Sequence, residues 1–125
     1  MKKINKILIT GAAGLCGNVL YNGLIKKGYK ISSIDKQTTP SVAAIKLNLN
    51  FSKNIKKIDL RNFKSLLKIT KNVDAVVHFG GIPRHSPKED FYKKILDHNI
   101  LGTYNLFEAC RLNKVKKIIF ASSAH

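Results

Sequence analysis

The feature that most constrains this chain is the run Thr10-Gly11-Ala12-Ala13-Gly14-Leu15-Cys16-Gly17, which follows directly on the apolar stretch Ile7-Leu8-Ile9. Beyond it Leu15, Val19, Leu20, Leu24 and Ile25 recur at helical spacing, so the segment reads as strand, tight turn, helix. Gly11 is expected to make the turn, Gly14 to let backbone approach a pyrophosphate, and Gly17 to let the helix pack closely on the strand. Bare N–H groups and the helix dipole at such a turn, with Leu15 and Cys16 in the first helical turn, meet phosphates without a cationic side chain. A P-loop is disfavoured, because Asn18 follows Gly17 where that motif requires Lys and then Ser or Thr.

The remainder repeats the same alternation. Lys26, Lys27 and Gly28 supply a helix end and a left-handed cap, and residues 29–35 then read as a second strand ending at Asp35. Residues 36–53, with Thr38-Thr39-Pro40 and scattered Asn, fit loop, helix or strand equally poorly and stay unassigned. Residues 54–58 read as a third strand ending at Asp59, and Phe63, Leu66, Leu67 and Thr70 mark one helix face. Residues 75–79 are nearly all apolar, as expected of a strand covered on both faces, and Gly80-Gly81 ends it. A long helix is expected over 87–110, weakened at Gly102, and a fifth strand over 115–121. Strands alternating with helices imply parallel βαβ units with right-handed crossovers and ligands beyond the carboxyl ends of the strands, and the fold expected is a Rossmann-type α/β, doubly wound parallel sheet of order 3-2-1-4-5.

At one such end stands Asp35, at the distance past the glycines where an acidic side chain accepts hydrogen bonds from both adenosine ribose hydroxyls. A 2′-phosphate would be repelled there, so the sequence points to NAD rather than NADP, with Lys36 softening the discrimination.

Composition bounds the rest. The 125 residues, 44% hydrophobic, suffice for one compact domain spanning 1–125 and not for two. No run approaches the roughly 20 apolar residues of a membrane-spanning helix, and the N-terminus lacks the apolar core of a secretory signal. Cys16 and Cys110 make a poor disulfide framework and read as reduced, in a cytoplasmic protein, and no metal-ligand set is read. The net charge of +16 raises nucleic-acid binding as a possibility. Of the 23 basic residues, however, only Arg61, Arg84 and Arg111 are Arg, and the lysines are scattered among Asn and Ile. That pattern reads as bias toward AT-rich codons rather than a binding face, and no nucleic-acid partner is expected.

The strand ends together resemble the extended short-chain dehydrogenase/reductase family, in its NAD-dependent epimerase/dehydratase branch. Asp59-Leu60 is similar to the family's acidic-apolar pair that holds the adenine. His78-Phe79-Gly80-Gly81 is similar to the motif whose backbone lies along the cofactor, and Asn99 with Gly102-Thr103 to the Asn-x-x-Gly-Thr of its long helix. Phe120-Ala121-Ser122-Ser123 is similar to the strand that delivers its catalytic Ser. Within the branch, Gly80-Gly81-Ile82 and the stretches 102–109 and 120–125 look closest to uronate-dehydrogenase-like members.

The resemblance implies that Ser123 hydrogen-bonds the reacting oxygen of a sugar or sugar-nucleotide substrate, with Ser122 near the nicotinamide and Asn99 bracing the site from its helix. His78, on an otherwise apolar strand, reads as a hydrogen-bonded core histidine, and His125 has no reading. Arg84, in the loop with Pro83, His85 and Pro87, fits either a substrate carboxylate or phosphate or a solvated loop position. The resemblance also implies a homodimer. The family's Tyr-x-x-x-Lys pair, its acid/base and ribose anchor, is missing: none of Tyr21, Tyr29, Tyr92 and Tyr104 has Lys four positions on. The sequence therefore reads as the incomplete, by itself inactive, N-terminal part of such an enzyme, or alternatively as a non-catalytic NAD-binding module.

Overall fold

The structure, a computed structural model, describes residues 3–48, 54–82 and 90–122. The elements run β1 (Lys6–Thr10), α1 (Leu15–Lys26), β2 (Lys30–Asp35), α2 (Val42–Lys46), β3 (Ile55–Lys57), α3 (Phe63–Ile69), β4 (Ala75–His78), α4 (Phe91–Ile95), a π-helical turn (Leu96–Leu101), α5 (Gly102–Leu112) and β5 (Lys117–Phe120). All strand pairs are parallel, in the order β3-β2-β1-β4-β5. Among the described residues no helix is long and apolar enough to cross a membrane.

Period-two alternation splits the core into two layers. Ile7, Ile9, Ala75 and Val77 point to one face of the sheet, where Leu20, Tyr21 and Leu24 of α1 cover them. Leu8, Ile34 and Val76 point to the other, against Leu66 of α3 and Leu106, Ala109 and Cys110 of α5. On that second face the Asn113 amide donates to the Leu67 carbonyl (2.7 Å) and to Thr70 Oγ1 (2.8 Å), tying the ends of α3 and α5 together.

Several sequence expectations change in detail. Part of the unassigned stretch is helical: Ser41 caps α2 by accepting from the Ala44 N–H (3.3 Å), a local bond invisible to apolar periodicity. The helix expected over 87–110 is not one α-helix, because the π-helical turn interrupts it and α5 continues to Leu112; residues 87–89 lie outside the described ones. The fully buried residues of α1 are Gly17 and Asn18, whereas Leu15, Val19 and Ile25 are exposed although they share the apolar spacing. Gly28, at φ +80°, ends α1 as expected: its N–H and that of Tyr29 donate back to Ile25 (2.9 Å) and Leu24 (3.2 Å), a Schellman cap.

β5 is an edge strand, with Ile118, Ile119 and Phe120 at 37%, 62% and 48% exposure. An apolar edge with unpaired backbone groups is a template for another strand. The 125-residue chain is expected to self-associate with rising concentration, and Ile119→Lys to reduce that association in sedimentation experiments. Unchanged association of the variant would show that the edge is not the contact.

Candidate functional site

Because every strand runs the same way, the chain leaves β1 to β5 on one rim of the sheet, and the glycine turn, Asp35, Asp59-Leu60 and Phe79-Gly80-Gly81 follow the strands there. Gly11 lies at φ +69°, a conformation that L side chains rarely adopt. A Cβ on it would lie 2.6 Å from the Phe79 carbonyl carbon and 2.7 Å from the Gly80 nitrogen. The loop after β1 and the loop after β4 therefore touch backbone to backbone. Gly14 closes the turn, its N–H donating to the Gly11 carbonyl at 3.1 Å. Gly17 differs from expectation: a Cβ there would overlap the Gly11 carbonyl oxygen and lie 2.7 Å from the Ala12 Cα, so it packs α1 on its own loop rather than on the strand.

The helix behind this loop has an open N-terminus. Gly14 is its N-cap, no side chain caps it, and no acidic residue stands in its first turn, in contrast to α2 and α3, which are capped by Ser41 and Asn62. The first-turn N–H groups of Leu15, Cys16 and Gly17 have no acceptor within the helix and face the positive dipole end. Cys16 is exposed and Cys110 buried, and both are free thiols. Burial pushes the Cys110 thiol up to about 11, so it is inert core.

Asp35 ties β2 to the glycine loop: its Oδ2 accepts from the Ala13 N–H at 3.0 Å and its Oδ1 from the Gln37 N–H at 3.1 Å. A carboxylate offers about four lone-pair positions, so two remain for ribose hydroxyls. The Ser41 N–H closes the loop from the other side by donating to the Ala13 carbonyl at 2.8 Å. These residues fit the adenosine and pyrophosphate of a dinucleotide: a carboxylate with spare acceptors stands beside an uncapped helix N-terminus bared by glycine.

Asp59 is engaged by Arg61, whose Nε and Nη2 donate to its two oxygens at 3.0 and 2.7 Å. The Arg61 side chain holds the carboxyl down at about 2, against the smaller opposing effect of burial. Leu60 points inward. Its Cδ1 lies 2.9 Å from where a Gly80 Cβ would be, and its Cβ 2.8 Å from where a Gly102 Cβ would be. Gly102 thus admits Leu60 against the helix, which explains a glycine at a position where helix propensity alone disfavours it. The Asn105 amide holds the same loop by donating to the Leu60 and Arg61 carbonyls (3.2 and 3.3 Å).

Asn99, on the π-helical turn, grips Ile82 on both sides: its Oδ1 accepts from the Ile82 N–H at 2.7 Å and its amide donates to the Ile82 carbonyl at 3.1 Å. Phe79 donates its N–H to the Thr10 carbonyl (3.1 Å) and packs on the α1 face, while Gly81 faces the Asn99 side chain. Ser122 is exposed just past β5. Ser123 and His125 lie outside the described residues, as do Pro83, Arg84, His85 and Pro87.

His78 is 1% exposed and bonds through both ring nitrogens, Nδ1 to Thr10 Oγ1 (2.6 Å) and Nε2 to Thr103 Oγ1 (2.9 Å). Its ring stacks on Phe120 at 5.4 Å. Sequence reasoning anticipated a bonded core histidine there but not its partners; nor did it find Arg61, Ser41 or Asn105. Each of these acts across a loop or between distant elements, and only the Asp-x-Arg spacing of the first could have signalled it.

A parallel sheet with a glycine-lined, uncapped helix N-terminus after β1 and an acid after β2 defines a Rossmann-type dinucleotide-binding unit. The chain belongs to the NAD dependent epimerase/dehydratase family, whose model matches residues 7–125. It is 33% identical to a UDP-glucose 4-epimerase of Pisum sativum over 95% of its length and 36% identical to a uronate dehydrogenase of Pseudomonas putida over 97%. It spans 37% and 41% of those relatives. Among solved structures, MoeE5 in complex with UDP-glucose and NAD superposes with a TM-score of 0.79 at 28% identity, covering 96% of this chain and 37% of MoeE5. Uronate dehydrogenase from Agrobacterium tumefaciens gives 0.77 at 30% identity, covering 98% and 42%.

Burial pushes the His78 imidazole down to about 4, so it is neutral in the folded protein and protonation favours the unfolded chain. This contribution is fully present above about pH 6.5 and is lost as pH falls toward 4. Chemical denaturation across that range is expected to show a loss on the order of 2 kcal/mol by about pH 4.5. His98 is lowered as well, by burial first and then by Arg61, so the share of His78 is read as the difference from a His78→Gln variant. Equal acid slopes in the two proteins would exclude His78.

Proposed function

We propose that this chain is the NAD-binding N-terminal part of an enzyme that transfers hydride between NAD and a carbinol carbon of a sugar, uronic acid or nucleotide sugar. The observation that carries the reading is the uncapped α1 N-terminus behind Gly11, Gly14 and Gly17, with Asp35 at the adjacent strand end. Family membership and the named ligands of MoeE5 support it. When bound, NAD supplies the hydride acceptor or donor.

The residues of the chain bind and orient. The N–H groups of Leu15, Cys16 and Gly17 receive the pyrophosphate, and Asp35 receives the adenosine ribose. Asp59 and the Leu60 backbone receive the adenine, Asp59 being kept ionised by Arg61. Phe79, Gly80 and Gly81, held by Asn99 through Ile82, line the path toward the nicotinamide, which Ser122 flanks. Ser123 hydrogen-bonds the reacting oxygen, since a hydroxyl both donates and accepts as that oxygen changes charge. The same reading carries a cytoplasmic homodimer. Tyr92, Leu96, Ile100 and Tyr104, spaced four apart and 55% to 70% exposed, form the apolar stripe such a partner copy covers.

Calorimetric titration with NAD and NADP tests the reading. Saturable NAD binding is expected, weaker for NADP, and weakened at least tenfold by Asp35→Ala, which removes the ribose acceptors and the Ala13 tether together. A folded chain that does not respond to NAD would overturn it.

A further inference from the structure

Three contacts converge on Gly80. The glycine loop abuts its backbone at Gly11, the Leu60 side chain fills the space a Cβ would need, and its N–H donates to Thr10 Oγ1 at 3.1 Å. Behind Thr10 the bonds continue inward to His78 Nδ1 and, through Nε2, to Thr103 on α5. The next anchor, the grip of Asn99 on Ile82, comes from the π-helical turn that leads into the same helix. Besides the Phe79 bond to the Thr10 carbonyl, the 79–82 segment is therefore held at Gly80 and at Ile82, each referred back to the helix that also receives Leu60.

The network assigns the proton positions. Thr10 is fully buried, and its oxygen already accepts from Gly80, so its own hydroxyl proton is satisfied by donating to Nδ1. Nε2 then carries the ring hydrogen and donates to Thr103. The opposite tautomer would point Nδ1–H and Gly80 N–H at one oxygen and leave the buried Thr10 proton without an acceptor. The elements packed on the imidazole present Thr10 from β1, Phe120 from β5, and Thr103 and Phe107 from α5, and none of these is charged. Burial keeps the ring neutral at physiological pH.

We infer that His78, acting through Thr10 as the neutral Nε2–H tautomer braced by Thr103, is a positioning residue that fixes the Gly80 backbone for the cofactor. The inference rests on the NAD-binding reading and goes beyond it, because it places control of cofactor affinity in a side chain and a threonine buried behind the site.

The test compares NAD affinity of the wild type with Thr10→Val, Thr10→Ser, Thr103→Val and Thr103→Ser, at pH 7.5 and below the onset of melting. Thr10→Val is expected to weaken NAD about tenfold by freeing the Gly80 N–H, and Thr103→Val severalfold. Each serine variant, which restores the hydroxyl, is expected to stay within about twofold of wild type. Folded valine variants that bind NAD like wild type, or serine variants as weak as the valines, would overturn the inference. A wild type that fails to bind NAD overturns the cofactor reading instead, and hydrogen exchange at Gly80 then decides the rest. Protection in wild type and Thr10→Ser but not in Thr10→Val supports the bond network; equal exchange in all three sinks it. Should a valine variant not fold, the nitrogen resonances of His78 serve: a neutral Nε2–H ring supports the assignment, and an Nδ1–H or charged ring overturns it.

Discussion

At Gly11 two stretches of backbone approach to a separation that no side chain allows, and the rest of the site depends on that contact. The positive φ of Gly11 turns the chain out of β1, and the missing Cβ lets the Phe79–Gly80 peptide lie against it. Alanine at this position would be strained by its conformation and would also collide with main chain, which cannot swing aside as a side-chain end can. The glycine loop after β1 and the strand end of β4 are thereby one unit. Gly17 extends it by seating α1 on the Gly11 carbonyl, which aims the open helix N-terminus at the place where the loop bares its N–H groups.

A second constraint acts from the opposite face. The π-helical turn supplies an extra residue within the helix register, a local irregularity that such turns introduce at functional positions. Here it presents Asn99 to both polar groups of Ile82, and Gly102 follows to admit Leu60. One helix thus fixes the loop after β3, through Leu60 and Asn105, and the loop after β4, through Asn99 and Thr103. Polar side chains do most of this tethering. Buried amides and hydroxyls need directional partners, so they set position more narrowly than apolar contact does.

Charge plays a smaller part than the net +16 suggests. Among the described residues, the ion pairs Asp59 with Arg61, Asp90 with Lys94, and Glu108 with Arg111 are local and lie at the surface. Such pairs contribute little to stability in water. The consequence of the Asp59 pair is local: Arg61 keeps an acceptor ionised at the strand end.

How far the sequence went is clearest strand by strand. Apolar runs closed by Gly11 and Gly80 located β1 and β4, because a parallel strand covered on both faces must be apolar, while Asp35 and Asp59 marked where the more polar β2 and β3 end. The strand order was expected from the dinucleotide-binding pattern of the strand ends, since alternation of strand and helix alone fits more than one doubly wound order. Periodicity could not find α2, whose cap is one hydroxyl, and could not distinguish an α-helix from one interrupted by a π-turn, since the apolar spacing is nearly the same. It also misjudged α1, where Leu15 and Val19 share the spacing yet face outward. What the sequence by itself determined is the architecture and the placing of the glycine turn and Asp35 at strand ends, because those demands are local: a turn, a bare N–H, a charge at a strand end. Only the tertiary structure decided that His78 bridges Thr10 and Thr103, that Arg61 holds Asp59, and that Gly102 makes room for Leu60. Those contacts join residues far apart in the chain or hang on loop geometry, and no spacing rule encodes them before the elements have packed.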